Sequence, residues 1–117
     1  MADDDGLVLA LIREIISPLS WTIYTASNGT EALQLIERIV PNLVISDIHM
    51  PGLGGLDLVQ RMRDGPRLSH IPVILVSDPL MEPEALAAGC DAFVSKHALV
   101  DTLLQIALNL VLPEGGK

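Results

Sequence analysis

Residues 42–59 read NLVISDIHMPGLGGLDLV, and this stretch decides the fold. An apolar run from Leu43 to Ser46 lacks polar alternation and ends directly at an acid, Asp47. Runs of this kind are typical of strands that are buried on both faces, as in parallel sheets covered by helices. A Met-Pro-Gly turn follows, and apolar residues at helical spacing begin at Gly55. The stretch therefore predicts a buried strand, a turn and a helix, with Asp47 at the carboxyl end of the strand.

The rest of the chain repeats this alternation of strands and helices. Strands are predicted at 21–26, 43–46, 72–76 and 92–95, from runs rich in β-branched or apolar residues. Helices are predicted at 7–19, after the capping residue Asn28, at 55–63, before Gly89 and at 98–112, with a frayed tail at 113–117. This order predicts an α/β fold with a parallel sheet and right-handed crossovers.

Composition limits the class of protein. The 117 residues suit a single domain, 1–117, and half of them are hydrophobic, so a packed core is expected. The formal net charge of -8 argues against direct binding of nucleic acid, which depends on basic patches. The single cysteine excludes an internal disulfide, and no apolar run approaches the ~18 residues of a membrane span. We therefore expect a cytoplasmic protein without a membrane segment.

Polar residues follow the predicted strands where each of them ends. Asp47 ends one strand, Ser77 ends the next, and Lys96 follows the last, while Asp3 and Asp4 precede the first helix. In open parallel sheets, sites form at the carboxyl ends of the strands. Clustered carboxylates suit Mg²⁺, and a hydroxyl and an ammonium group suit a phosphoryl group. The sequence thus predicts a magnesium-dependent phosphate site at this edge.

In this order and spacing, the residues resemble the receiver domain of two-component response regulators. The matching segments are the acid pair at 3–4, TASNGTEAL at 25–33, PNLVISDIHMPGLGGLDLV at 41–59, IPVILVS at 71–77 and AAGCDAFVSK at 87–96. The resemblance covers nearly the whole chain. It implies a flavodoxin-like, doubly wound parallel sheet.

The resemblance also implies a phosphoacceptor and a metal site. Asp47 matches the aspartate that accepts a phosphoryl group from a histidine kinase or phosphotransfer protein. Asp3 and Asp4 match the acid pair that binds Mg²⁺ together with the phosphoacceptor. The backbone carbonyl of His49 matches the third protein ligand position.

Three further positions match the residues that respond to the phosphoryl group. Ser77 matches the hydroxyl that donates a hydrogen bond to the phosphoryl oxygens. Lys96 matches the lysine that pairs with the phosphate. Phe93 matches the aromatic residue that changes rotamer together with the movement of Ser77.

The amino-terminal end departs from this family pattern. Only Met1 and Ala2 precede Asp3, where the family has a central apolar strand. We therefore expect a sheet of four strands, and an acid pair that is poorly positioned relative to Asp47. A second chain that covers the gap would restore the lost burial, and the surplus apolar residues Leu7 and Leu9 favour a homodimer.

Two functional readings follow from these residues. The first is a stand-alone receiver that is not an enzyme beyond its own phosphorylation and dephosphorylation, and that signals by contact with an output protein. The second is a degenerate receiver that is never phosphorylated and serves as a structural or dimerisation module. Asp47, Ser77 and Lys96 favour the first reading. The missing strand, Asp78 and His97 favour the second, because the family prefers a small neutral residue and a proline at the last two positions.

Overall fold

The computed structural model describes residues 1–111, which form a three-stranded parallel sheet flanked by helices. The strands, in sheet order, are β1 (Val44–Asp47), β2 (Val73–Ser77) and β3 (Ala92–Ser95). The helices are α1 (Gly6–Ile16), α2 (Gly29–Ile39), α3 (Gly55–Asp64), α4 (Glu82–Ala88) and α5 (Leu99–Val111). The α/β fold class is confirmed. The predicted helix end at 112 and the tail at 113–117 lie outside the described residues.

Helices cover both faces of the sheet. Alternate strand residues point to opposite faces, so apolar side chains on each face need a layer of helices to bury them. Every residue of β1 and β2 is buried. One face packs against α2, α3 and α4 through a cluster that includes Ile36, Leu58, Ala85, Val73 and Leu75. The other packs against α1 and α5 through a cluster that includes Ile12, Leu103, Ala107, Ile74 and Val94. Burial on both faces explains why these strands show no polar alternation.

The prediction of four strands is wrong, because residues 21–26 do not form one. In this segment only Ala26 makes a bridge, and its partner is Ala2, which also bridges Ser46 in β1. A strand needs a hydrogen-bonded neighbour along its length. Residues 1–3 supply a neighbour for Ala26 and for the carboxyl end of β1 only, so 21–25 stay outside the sheet.

The short segment from Met1 to Asp3 is nevertheless fixed on both sides. Ala2 N–H donates to the Ile45 carbonyl at 2.8 Å, and Asp47 N–H donates to the Ala2 carbonyl at 2.8 Å. On the other side, Asp3 N–H donates to the Ala26 carbonyl at 3.0 Å. The expected loss of position of the acid pair therefore does not occur, since these bonds carry Asp3 to the end of β1.

Candidate functional site

Three carboxylates converge at the carboxyl end of β1. Asp47 ends this strand and is 4% exposed, and Asp3 is 1% exposed. Asp4 is exposed at the rim. One carboxylate oxygen from each of the three residues lies within 4.8 Å of the other two. This separation lets a single cation contact all three residues.

Burial of the carboxylates makes their negative charge unfavourable in the absence of a cation. Burial, with a smaller effect from the neighbouring Asp47 and Asp4, raises the pKa of Asp3 to about 6, although the Asp5 N–H and Lys96 oppose the rise. Among the described residues, Oδ2 of Asp3 and Oδ1 of Asp47 are buried without a hydrogen-bond partner. Unpaired buried oxygens are costly, and an oxygen-seeking divalent cation removes that cost. The residues present therefore fit Mg²⁺.

Asp5 supports the acid pair, a role that the sequence analysis did not recognise. Its backbone N–H donates to Oδ1 of Asp3 at 2.9 Å, and its carboxylate accepts the Leu7 N–H at 2.9 Å as the N-cap of α1. An aspartate directly before an apolar helical run is an N-cap signature. The cap ties the start of α1 to the acid pair.

Lys96 places its ammonium group beside Asp47. Its Nζ lies 3.4 Å from Oδ2 of Asp47, and its side chain is 39% exposed. Lys96 begins a 3₁₀ turn, Lys96–Ala98, in which Ser95 Oγ accepts the His97 N–H at 3.2 Å. This cap fixes the loop after β3, where His97 replaces the expected proline. The contact with Asp47 is longer than a tight charge-assisted bond of ~2.8 Å.

Ser77 and Phe93 lie on neighbouring strands and on the same face of the sheet. Ser77 ends β2, is 2% exposed and pairs in register with Ser95. Phe93 pairs with Leu75, and its partly buried ring packs against the core on the side of α3 and α4. Since side chains alternate along a strand, Ser77 lies two residues beyond Leu75 on this face.

The turns after β1 and β2 complete the rim. His49 has an exposed side chain, and no hydrogen bond among residues 1–111 uses its carbonyl. Asp78 is exposed, and its carboxylate caps the turn Pro79–Met81 by accepting the Leu80 N–H at 3.0 Å. This cap gives the aspartate at 78 a structural role.

Comparison with known proteins decides the family. The family model described as response regulator receiver domain matches residues 1–108. The chain belongs to this receiver family. Its curated relatives include the polar-differentiation response regulator DivK of Brucella anthropi, which is 32% identical over 108 residues, 90% of this chain and 88% of the relative.

Solved receiver structures share the fold of this receiver. The receiver domain of a signal transduction histidine kinase from Syntrophus aciditrophicus aligns with a TM-score of 0.86 at 27% identity, over 94% of this chain and 86% of that one. The receiver domain of NtrX from Brucella abortus aligns with a TM-score of 0.83 at 27% identity, over 94% of both chains. Across residues 1–111, no helix has the length and apolarity needed to span a bilayer.

Proposed function

We propose that residues 1–117 form a single cytoplasmic receiver domain that accepts a phosphoryl group on Asp47 from a histidine kinase or phosphotransfer protein. The observation that carries this proposal is the convergence of Asp3, Asp4 and Asp47, with two buried oxygens that lack a partner among the described residues. The domain signals by contact with an output protein, and its chemistry is limited to its own phosphorylation and dephosphorylation.

Mg²⁺ is the proposed cofactor. Asp3, Asp4 and Asp47 supply carboxylate oxygens, and the His49 carbonyl supplies a backbone oxygen. When bound, the ion neutralises charge on the phosphoryl oxygens and on the attacking carboxylate. Mg²⁺ keeps several of its waters in sites of this kind, so the exposure of Asp4 at the rim is compatible with binding.

Asp47 is the nucleophile in the proposed reaction. One of its carboxylate oxygens forms the new O–P bond, the P–N bond of the donor phosphohistidine breaks, and the electron pair remains on the imidazole, which takes up a proton. Lys96 follows the charge as it moves from the carboxylate to the phosphoryl group. Its partly exposed side chain and its loose 3.4 Å contact with Asp47 leave room for that movement.

Ser77 and Phe93 form the proposed switch. The phosphoryl group adds a charge of about -2 and new hydrogen-bond acceptors next to Ser77. Movement of the Ser77 hydroxyl toward these acceptors opens space on the face that it shares with Phe93, whose ring is only partly buried. The rotamer change of Phe93 then alters the surface that an output protein contacts.

The test is formation of an adduct that depends on Asp47. Beryllofluoride, a mimic of the phosphoryl group, is titrated in the presence of millimolar Mg²⁺, and acetyl phosphate is used in parallel with mass detection. The proposal expects both adducts in the wild type and neither in Asp47→Ala. The control is Asp64→Asn, an exposed acid at the carboxyl end of α3, which should leave both adducts intact. An adduct that survives Asp47→Ala, or no adduct at all, would refute the proposal.

Exposed apolar residues on α1 support the second function, a dimerisation module. Leu7 is 83% exposed and Leu11 is 40% exposed, and both lie on this helix. Burying the exposed parts of these two leucines in a homodimer would contribute ~2–4 kcal/mol per chain. Light scattering should then give twice the 12.5 kDa chain mass, falling toward one chain in Leu7→Glu. A mass equal to one chain at high protein concentration would contradict a role in dimerisation.

A further inference from the structure

Ser46 is a hydroxyl residue inside a strand that is buried along its whole length. It lies directly before Asp47 in β1 and is 1% exposed. Its side chain points to the sheet face covered by α2, α3 and α4, because it pairs in register with Leu75, which belongs to the apolar cluster on that face. A buried hydroxyl is costly unless it makes a hydrogen bond. The Ser46 hydroxyl therefore needs a partner within the fold.

The partner of the Ser46 hydroxyl is the backbone carbonyl of Asp47. Ser46 Oγ donates to this carbonyl at 2.8 Å. The Asp47 N–H donates to the Ala2 carbonyl, and the alternation of a parallel ladder points the Asp47 carbonyl to the same side, where the next donor would be the Asp4 N–H. The chain bends at Asp4, and among residues 1–111 no backbone N–H outside the regular elements donates to the Asp47 carbonyl. Since buried carbonyls are almost always paired, the Ser46 hydroxyl takes the place of that rung.

This hydrogen bond fixes the peptide unit that joins Asp47 to Ile48. The unit is planar and contains the Asp47 carbonyl and the Ile48 N–H. Ser46 holds the carbonyl, while the Ile48 N–H donates to the Val76 carbonyl at 3.2 Å. The plane is therefore held at both ends. The bond to Val76 is at the long limit for an N–H donor, so the hydroxyl bond is the closer of the two.

The first turn of α3 packs against the same peptide unit. The Gly55 N–H donates to the Ile48 carbonyl at 2.9 Å. A Cβ at position 55 would meet the Asp47 carbonyl, so the helix backbone lies directly against this oxygen. Because the Gly55 N–H serves Ile48, the helix gives the Asp47 carbonyl a close contact but leaves its hydrogen bond to Ser46.

The orientation of this peptide unit sets the relation between two proposed metal ligands. A rotation of the plane would change ψ of Asp47 and φ of Ile48, the two soft torsions beside it. These torsions determine how the Asp47 side chain and the His49 carbonyl stand relative to one another. Binding groups must be held within about 0.5 Å of their working geometry, so a small rotation would matter.

We propose that Ser46 is a positioning residue for the receiver site, an inference that rests on the proposed function of Asp47. Its hydroxyl holds the Asp47–Ile48 peptide unit in the orientation that turns the Asp47 carboxylate and the His49 carbonyl toward one cation. Neighbouring side chains on a strand point to opposite faces, so Ser46 acts through the backbone and not by contact with the cation.

The test measures Mg²⁺ affinity by calorimetry in three variants. Ser46→Ala removes the hydroxyl and should weaken Mg²⁺ binding by about tenfold or more, as expected for groups that orient metal ligands. Ser46→Thr keeps a hydroxyl and should recover the wild-type affinity. The matched control is Thr102→Val in α5, which removes another hydroxyl-to-carbonyl bond of 2.8 Å, to Ala98, and should leave Mg²⁺ affinity unchanged.

Amide exchange gives a second readout that does not need metal. In Ser46→Ala, exchange at Ile48 and Gly55 should accelerate at least about tenfold beyond the change expected from global stability, and Thr102→Val should show no such excess. Mg²⁺ affinity that is unchanged in Ser46→Ala, or equally reduced in Thr102→Val, would overturn the positioning role. A wild type that does not bind Mg²⁺ would count against the proposed function instead. Exchange at Ile48 would then decide the role of Ser46, and the absence of excess acceleration would overturn it.

Discussion

Replacing Asp3 with asparagine tests whether the acidic site is built for a cation. Burial and the nearby Asp47 raise the pKa of Asp3 from 3.8 to about 6. Asparagine has almost the same shape and keeps an oxygen that can accept the Asp5 N–H, now 2.9 Å from Oδ1. Asp3→Asn therefore removes the charge and a metal ligand while it preserves the local hydrogen bond.

The size of the effect follows from the difference in pKa. The step from 3.8 to about 6 corresponds to ~3 kcal/mol at 1.36 kcal/mol per pH unit. Because the folded state binds this proton more tightly than the unfolded state, the Asp3 contribution to the free energy of unfolding falls as pH rises from ~4 to ~6. Without metal, Asp3→Asn should be ~2–3 kcal/mol more stable than the wild type at about pH 8, with the difference vanishing near pH 4.

The assay is urea unfolding with a chelator at both pH values, followed by titration with Mg²⁺. Mg²⁺ should stabilise the wild type but not Asp3→Asn, since binding to the folded state raises stability. The control is Asp4→Asn, which removes a proposed ligand from an exposed position and should change metal affinity without changing the stability of the metal-free protein. An Asp3→Asn variant less stable than the wild type at the higher pH would contradict the cost assigned to this charge.

Three further predictions separate structure from chemistry. Gly55→Ala should lower the free energy of unfolding in urea by ~1–3 kcal/mol, because the added Cβ would meet the Asp47 carbonyl. The control Gly6→Ala, whose Cβ would have nothing within 4 Å, should raise it by ~0.5–1 kcal/mol. Equal effects of the two substitutions would contradict close packing at Gly55. Arg63→Met should lower the free energy of unfolding by at least ~2 kcal/mol, because the Arg63 guanidinium donates hydrogen bonds to three backbone carbonyls and one carboxylate. The Mg²⁺ affinity measured by calorimetry should not change. A variant as stable as the wild type would show that these hydrogen bonds are not needed. Lys96→Met should weaken beryllofluoride binding by at least about tenfold and leave the Mg²⁺ affinity unchanged. Equal loss of both affinities would contradict a direct interaction of Lys96 with the phosphoryl group.

The buried part of the fold was predictable from local sequence. The runs at 43–46, 72–76 and 92–95 gave the three strands to within one residue at each end, because burial on both faces leaves a continuous apolar signal. The segment at 21–26 has equally strong β-forming residues but forms only a bridge at Ala26. Its state depends on a neighbouring strand, and propensity does not report on neighbours.

The candidate site was predictable in membership but not in geometry. The rule that sites form at the carboxyl ends of parallel strands was enough to select Asp47, Ser77 and Lys96. The position of Asp3 was not accessible in this way, because it depends on pairing between residues 1–3 and residues far along the chain. A segment of three residues gives no sequence signal for a strand, so its hydrogen bonds to β1 on one side and to Ala26 on the other could not be predicted.

The placement of Asp3 depends on very little backbone. Ala2 contributes two hydrogen bonds to β1, and Asp3 contributes one to Ala26. Net contributions of ~1 kcal/mol each make these three bonds comparable to the cost of the Asp3 charge.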